Sequence, residues 1–109
     1  MSFKIKYLAS VDNYLDSVSV QEQRKIVRQL KYLQEYGLRH EVLNLKKLRG
    51  YDYWEIRILG KHNTRIFCYQ IGSSIYILHI FHKNTQKTKL SDLSAGQRIL
   101  DELLHNISF

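Results

Sequence analysis

The sequence predicts an α+β fold with the element order β-α-α-β-β-β-α, in which an antiparallel sheet packs against a helical hairpin and a C-terminal helix. Three observations lead to this prediction. Residues 10–36 carry apolar side chains at helical spacing. Residues 53–81 hold three strand-like runs separated by two short turns, which is typical of an antiparallel meander. Residues 91–104 return to helical spacing, and the length of 109 residues favours a single domain, 1–109.

The first half of the chain predicts a strand followed by the hairpin. Residues 3–7 alternate apolar and polar side chains, the period of a half-buried strand. Ser10 is placed to cap a short helix. Ser19 and Glu22 have the spacing of a capping box at the start of a longer helix, and Gly37 follows that helix as its expected C-terminal cap.

The second half predicts the meander and the last helix. Residues 53–59 and 64–70 alternate, whereas residues 75–81 are almost wholly apolar, as expected of a central strand. The turns between them contain Gly, Asn and Ser, which suit antiparallel connections. Ser91 is the expected cap of the final helix, and Gly96 inside that helix is unfavourable by ~1 kcal/mol relative to alanine.

Basic residues concentrate in the middle of the chain. There are 17 Lys and Arg against 10 Asp and Glu, and residues 42–91 hold nine of the bases with only two of the acids. A surface field of one sign predicts a polyanionic partner, with nucleic acid as the default. The alternative is that the charge serves solubility alone, but solubility does not require the charges to be segregated.

Composition argues against several classes of protein. One Cys cannot form an internal disulfide, which favours a reducing compartment and a cytoplasmic location. No apolar run approaches the roughly 18–20 residues of a membrane span, and the charged start of the chain does not resemble a signal peptide. The His residues are scattered, so we expect neither a metal nor a cofactor. Cys68 lies in an alternating strand and is expected to be a core residue.

Two arginines are candidates for a phosphate site. Alternate side chains of a strand share a face, so Arg57 points away from the face that Trp54 occupies. In the predicted hairpin, Arg57 and Arg65 lie side by side, an arrangement that is unfavourable unless an anion lies between them. The pattern equally allows a surface arrangement in which Arg57 pairs with Glu55 or Asp52 and Arg65 is solvated.

Further candidates surround this pair. Tyr69 shares a face with Arg65 and is a candidate for stacking on bases, as are Tyr51, Tyr53 and Phe67, although aromatic residues in strands more often pack in a core. Residues 82–89 form a polar segment directly after a strand, a common place for reactive groups. The other candidates for RNA binding are basic residues of the middle segment: Lys46, Lys47, Arg49, Lys87 and Lys89.

Three runs of residues resemble a known family. They are Tyr53-Trp54-Glu55-Ile56-Arg57, Arg65-Ile66-Phe67-Cys68-Tyr69 and Phe81-His82-Lys83-Asn84-Thr85-Gln86-Lys87-Thr88. In this order and at these spacings they resemble the RelE/ParE superfamily of bacterial toxins, in particular its phage-derived HigB-type branch. The resemblance covers most of the chain, and the element order of the superfamily agrees with the one predicted above.

The resemblance implies the toxin of a type II toxin–antitoxin pair. HigB- and RelE-type members cleave mRNA in the ribosomal A site without a metal, and basic residues bind the phosphate and stabilise the transition state. By position, Arg57 and Arg65 match two strand positions of that site, and Lys83 falls near its third basic position. The C-terminal Tyr that serves RelE as a base has no clear counterpart, so His82, or His79 if it faces the site, is the candidate base.

The resemblance also implies partners. They are a cognate helix-turn-helix antitoxin of HigA type, the ribosome with its mRNA, and promoter DNA bound through the antitoxin complex, with no membrane. Helical surface from residues 10–36 or 92–105 is the expected antitoxin dock, because both segments carry apolar stripes. The alternatives are a non-catalytic inhibitor of DNA gyrase, like the ParE toxins of the same fold, and a nucleic-acid-binding module without toxicity.

Overall fold

The computed structural model describes residues 2–39, 44–84 and 87–106 of the chain. Within these ranges the predicted α+β class and the predicted order of helices and strands are confirmed, and one short strand is added before the meander. In chain order the elements are β1 (Lys4–Tyr7), α1 (Val11–Asp16), α2 (Val20–Tyr36), β2 (Leu45–Lys47), β3 (Trp54–Ile58), β4 (Thr64–Ile71), β5 (Ser74–His82) and α3 (Leu90–Asn106).

The five strands form one sheet in the order β1-β5-β4-β3-β2. Strands β3 to β5 form the predicted antiparallel meander, and the added strand β2 extends it by pairing antiparallel with β3. Strand β1, however, pairs with β5 in parallel, so the sheet is mixed and the prediction of an antiparallel sheet is wrong for this strand. Parallel neighbours need a long connection, and here the chain passes through both hairpin helices and three strands before β5 returns beside β1.

The hairpin helices begin at the predicted caps. Ser10 Oγ and Ser19 Oγ each accept a hydrogen bond from a backbone N–H three residues further on, at 3.4 and 3.2 Å. The other half of the predicted capping box is replaced by a core contact, because the Glu22 carboxylate accepts a 2.7 Å hydrogen bond from Thr64 Oγ1. Helix α2 ends at Gly37, whose φ of +75° favours glycine.

Helix α3 begins at Leu90, so the predicted cap Ser91 lies inside its first turn instead. Gly96 of this helix faces the sheet at close range. A Cβ on Gly96 would lie 2.8 Å from Phe67 Cδ2 and 3.0 Å from Tyr53 Cζ. The unfavourable helix propensity of this glycine is therefore offset by a closer approach of α3 to the sheet.

The sheet separates two apolar clusters. On the α1–α2 side, Ile56 and Cys68 pack with the helical hairpin. Burial raises the pKa of the Cys68 thiol to about 12, which agrees with the predicted core role. On the α3 side, Tyr53 and Phe67 are fully buried. Stacking on bases, considered above for these two rings, is therefore wrong.

Candidate nucleic-acid site

The register of β3 and β4 brings the two candidate arginines together. Arg57 and Arg65 are direct partners across the antiparallel pair, as the sequence predicts. They lie on the same face of the sheet as Tyr53 and Phe67. Helix α3 covers the part of this face that holds Tyr53 and Phe67. Arg65 is only 4% exposed, whereas Arg57 is half-buried. We call the part of this face that holds Arg57 and Arg65 the arginine face.

A single buried carboxylate lies beside the arginines. Glu55 is 1% exposed, and its Oε1 lies 3.8 Å from Arg65 Nε. Its Oε2 accepts a 3.4 Å hydrogen bond from Thr88 Oγ1, which ties the segment ahead of α3 to the arginine face. The surface arrangement in which Arg57 pairs with Glu55 and Arg65 is solvated is therefore wrong, because Arg65 is the buried partner.

Four cations influence one another at this face. Burial lowers the pKa of Arg65, Glu55 opposes that effect, and the charge of Arg57 lowers this pKa further. The pKa of Lys83 is also lowered, first by burial and then by Arg65, with smaller contributions from Arg57 and Lys46. Lys46 is the direct partner of Glu55 across β2 and β3, so it shares the face. The structure thus unites Arg57, Arg65, Lys83 and Lys46 around one carboxylate.

Two guanidinium donors at this face are unsatisfied. Among the described residues, Nε of Arg57 and Nε of Arg65 are buried and have no hydrogen-bond partner. The separation of 3.8 Å between Arg65 Nε and Glu55 is too long for a hydrogen bond. A buried donor without an acceptor is costly, and an anion bound by the guanidinium edges would remove that cost.

The neighbouring basic residues divide between the two faces. Lys47 is the partner of Trp54, so it lies on the side opposite Lys46. Its Nζ is 5.7 Å from the centre of the Trp54 ring and donates a 2.9 Å hydrogen bond to the Tyr51 carbonyl. The structure therefore does not bring Lys47 to the arginine face. Arg49 is exposed in the turn after β2.

The remaining residues that the sequence predicts to contact RNA are Tyr69, Lys87 and Lys89. Tyr69 is four residues from Arg65 along β4 and packs against the α3-side cluster, so the structure does not bring it to the arginine face. Lys87 and Lys89 are exposed in the segment that Thr88 attaches to Glu55. Two residues of the same sequence motif, Thr85 and Gln86, lie outside the described residues.

The two candidate bases lie on opposite faces. His82 is the partner of Thr64, whose side chain points into the α1–α2 side, and the His82 ring lies 6.0 Å from that of His62. The register therefore places His82 away from the arginine face. Phe81, the direct partner of Arg65, takes the position on that face instead.

His79 lies on the same face as the arginines. It is the partner of Phe67 across β4 and β5, and its ring stacks on Phe81 with centroids 5.0 Å apart. Its Nε2 lies 2.9 Å from Asp92 Oδ1 in the first turn of α3. A carboxylate on one ring nitrogen fixes the orientation and tautomer of the imidazole. Of the two candidates, His79 is the one that lies on the face of the arginines.

Sequence reasoning missed three polar contacts. It did not foresee that Asp92 meets His79 or that Thr88 meets Glu55, because both contacts depend on how α3 docks. It also missed a chain of hydrogen bonds on the opposite side of the sheet. There Thr64 Oγ1 joins the hydroxyl of Tyr14 to the Glu22 carboxylate, each at 2.7 Å. The available signal was the spacing of Glu22, which lies four residues before Ile26 of the apolar stripe of α2.

Within residues 2–39, 44–84 and 87–106, no three side chains of His, Cys, Asp or Glu are grouped as metal ligands would be. In the same ranges, none of the helices combines the length and the apolar character needed to cross a bilayer.

A mixed five-stranded sheet with a helical hairpin on one side and a helix on the other is the RelE-type fold. The chain is similar to a chain in the crystal structure of the archaeal RelE-RelB complex from Pyrococcus horikoshii OT3, with a TM-score of 0.63 and 19% identity. That similarity covers 77% of this chain and 98% of the other. The comparison with curated proteins gave no match.

The family follows from the sequence itself. Residues 13–101 match the family described as Phage derived protein Gp49-like, and the chain belongs to that family. Together with the fold, this membership confirms the predicted relationship to the RelE superfamily of toxins.

Proposed function

We propose that the protein is a HigB-type toxin that halts translation by cleaving mRNA on the ribosome. The observation that carries the proposal is the arginine face. Two arginines are direct strand partners, both have a buried Nε without a hydrogen bond, and Lys83 and Lys46 lie close enough to affect the same charges. A surface with this excess of positive charge suits a phosphate group, because guanidinium groups bind phosphate with charge-assisted hydrogen bonds.

RNA supplies its own nucleophile in the proposed reaction. The 2′-hydroxyl attacks the adjacent phosphorus, the bond to the 5′-oxygen breaks, and the products are a 2′,3′-cyclic phosphate and a 5′-hydroxyl. His79 is the group proposed to accept the proton of the 2′-hydroxyl. Lys83, whose lowered pKa makes it a better proton donor than an ordinary lysine, is proposed to protonate the leaving oxygen.

The larger catalytic contribution in this proposal is electrostatic. Arg57 and Arg65 bind the phosphate oxygens and stabilise the extra negative charge that develops as the fifth bond to phosphorus forms. Removal of one such donor typically lowers the rate by roughly 10²- to 10³-fold. The reaction as proposed uses no metal and no cofactor, because protein cations perform the stabilisation.

The proposed biological setting follows from the family. The partners are a HigA-like helix-turn-helix antitoxin, the ribosome with its mRNA, and promoter DNA bound through the antitoxin complex, all in the cytoplasm. The gyrase inhibitor remains the alternative. An inhibitor that acts without cleavage has no use for unsatisfied arginine donors at a cation cluster, which is why the nuclease is proposed first.

Induced expression with pulse labelling tests the proposal. We expect protein synthesis to stop first, and mapping of mRNA 5′ ends to show new cuts within coding sequences. Arg57→Ala should abolish both effects, whereas Arg24→Ala, which removes an exposed charge from α2, should not. Loss of DNA supercoiling while protein synthesis continues would instead support the gyrase inhibitor.

Purified protein on programmed ribosomes tests the chemistry. We expect cleavage without added Mn²⁺ or Zn²⁺, and the products should carry the cyclic phosphate and the 5′-hydroxyl. A strict requirement for an added transition metal would contradict the charge-based mechanism.

A further inference from the structure

A second basic pocket lies around the edge of the sheet from the arginine face. We call it the α2–β3 pocket. Its volume is about 350 Å³, and no carboxylate is among the described residues that line it. Its principal lining residues are Lys25, Arg28 and Gln29 of α2, and Arg57, Ile58 and Leu59 at the end of β3.

Arg57 lies where the pairing of β2 with β3 ends, and it connects this pocket with the arginine face. Strand β2 pairs with β3 only as far as Ile56, and beyond it the Arg57 N–H donates a 2.8 Å hydrogen bond to the Asn44 carbonyl. Arg57 is therefore the residue that both surfaces share. A strand of nucleic acid that leaves the arginine face at Arg57 meets the α2–β3 pocket next.

Cations on α2 give the pocket its charge. Lys25 and Arg28 are both exposed, and Lys25 Nζ donates a 3.3 Å hydrogen bond to the Leu59 carbonyl, which holds it at the rim. With Arg57, three cations line the same depression. Such a group attracts phosphate, and each phosphate that it neutralises releases counterions.

Unsatisfied polar atoms also concentrate here. Within the described part of the chain, three buried side-chain polar atoms have no hydrogen-bond partner. Two of them, Gln29 Oε1 and Arg57 Nε, belong to residues that line this pocket. Because Gln29 Oε1 makes no hydrogen bond within the fold, a ligand that reaches it would add a hydrogen bond without breaking one at this oxygen. It is an acceptor, so it suits a hydroxyl or amino group rather than a phosphate.

We propose that the α2–β3 pocket binds the nucleotide adjacent to the one held at the arginine face. In this arrangement Lys25 and Arg28 contact its phosphate, and Gln29 accepts a hydrogen bond from its ribose hydroxyl or its base. The proposal rests on the proposed function, since the same RNA strand must occupy both surfaces. It adds a second contact, which fixes the direction of the strand across Arg57.

Titration of the ¹⁵N-labelled protein with a single-stranded RNA trinucleotide, followed by NMR, tests the proposal. We expect shifts of the Gln29 side-chain amide and of the Arg28 and Arg57 Nε–H signals, which are detectable even for millimolar affinity. Gln29→Leu, which keeps the side-chain volume but removes the acceptor, should weaken binding roughly two- to tenfold, the range of one neutral hydrogen bond.

Charge variants provide the matched comparison. Arg28→Ala should weaken binding about tenfold or more at low salt and reduce the slope of log affinity against log salt by about 0.7. Lys31→Ala removes the same charge from the same helix but lies outside the pocket, so it should change neither quantity. Equal losses from both variants would overturn the proposal in favour of general attraction to a basic helix.

The remaining outcomes separate this inference from the proposed function. RNA-induced shifts confined to Arg65 and Lys83 would overturn the pocket while leaving the proposed nuclease intact. The absence of any shift at millimolar RNA would also overturn the pocket. Shifts at Gln29 in a protein that cleaves no mRNA on ribosomes would support the pocket and refute the nuclease.

Discussion

Arg65 is the residue on which the site depends most. It is buried beside Glu55, yet its Nε makes no hydrogen bond, and a second guanidinium lies directly across the strand pair. A buried cation needs a partner of opposite charge. Glu55 supplies one, but it interacts with both Arg65 and Lys83, while Arg57 adds a further positive charge to the same cluster. The arrangement is therefore more favourable with a bound anion than without one.

Arg65→Ala is expected to destabilise the protein as well as inactivate it. The substitution leaves the Glu55 carboxylate buried without its nearest cation. Loss of one partner of a buried ion pair typically lowers the free energy of unfolding by about 3 kcal/mol. Arg57→Ala should lower the free energy of unfolding by less than about 1 kcal/mol, because Arg57 is half-buried and is not the nearest partner of Glu55. Urea denaturation of the two variants measures the difference. Equal stabilities would show that Glu55 does not depend on Arg65.

The pKa of Lys83 reports the charge coupling directly. Removal of a neighbouring positive charge makes the protonated lysine more favourable, so Arg57→Ala should raise this pKa toward the ordinary value of 10.5. Recovery should be partial, because burial is the larger cause of the lowering. NMR titration of ¹³C-methylated lysines measures the change, and Arg24→Ala on α2 is the control that should have no effect. A fall of the Lys83 pKa in Arg57→Ala would contradict the proposed proximity.

At the scale of helices and strands, the periodicity of the sequence predicted the features that depend on neighbouring residues. The N-cap hydrogen bonds of Ser10 and Ser19, the end of α2 at Gly37 and the alternating strands β3 and β4 all follow from spacing within a few residues. The parallel direction of β1 and the short strand β2 do not, because both depend on partners far along the chain. No local pattern encodes such pairings.

The candidate site also combines features that the local sequence predicts with features that depend on long-range packing. The pairing of Arg57 with Arg65 was predictable because a short turn fixes the register of a hairpin. The sequence placed His79 and His82 on opposite faces but did not say which one faces the arginines. That answer depends on the register of β5 against β4. Likewise, Tyr53 shares a face with Arg57 but is buried, because α3 covers one end of that face and leaves the other open.

Gly96→Ala is expected to destabilise the protein although alanine favours helices. The substitution gains about 1 kcal/mol of helix propensity. The new methyl group, however, would lie 2.8 Å from the Phe67 ring and 3.0 Å from Tyr53, and both rings are fully buried. Overpacking of this kind typically costs about 1–3 kcal/mol, so the net change should be unfavourable.

Thermal unfolding of Gly96→Ala measures the net effect. Ser94→Ala, at an exposed position of the same helix, is the matched control and should be neutral or slightly stabilising. A higher melting temperature for Gly96→Ala than for the control would mean that α3 moves away from the sheet at little cost.

At the scale of the whole molecule, the arginine face and one group of exposed apolar side chains lie on different sides. The cations of the arginine face lie toward α3, whereas Tyr7, Leu8, Val20 and Val27 are exposed on the side of β1 and the hairpin. A cavity of about 570 Å³ opens there between β1, α1 and α2. Apolar surface of this kind marks protein contacts. The arginine face therefore suits RNA, and the apolar side chains around this cavity suit a protein partner.

The proposed antitoxin is expected to bind the hairpin side and leave the arginine face exposed. Hydrogen exchange of the toxin, alone and in complex with the antitoxin, should show protection in β1, α1 and α2. Val27→Asp should weaken the complex at least tenfold, because a carboxylate would be buried in an apolar contact. Leu104→Asp, on α3 and equally 40% exposed, is the matched control and should leave binding unchanged. Protection centred on Arg57 and Lys83, with the hairpin unaffected, would instead show that the antitoxin covers the arginine face. In the expected arrangement the antitoxin inhibits through its bulk, which keeps the toxin out of the ribosomal A site while the arginines remain accessible to small anions.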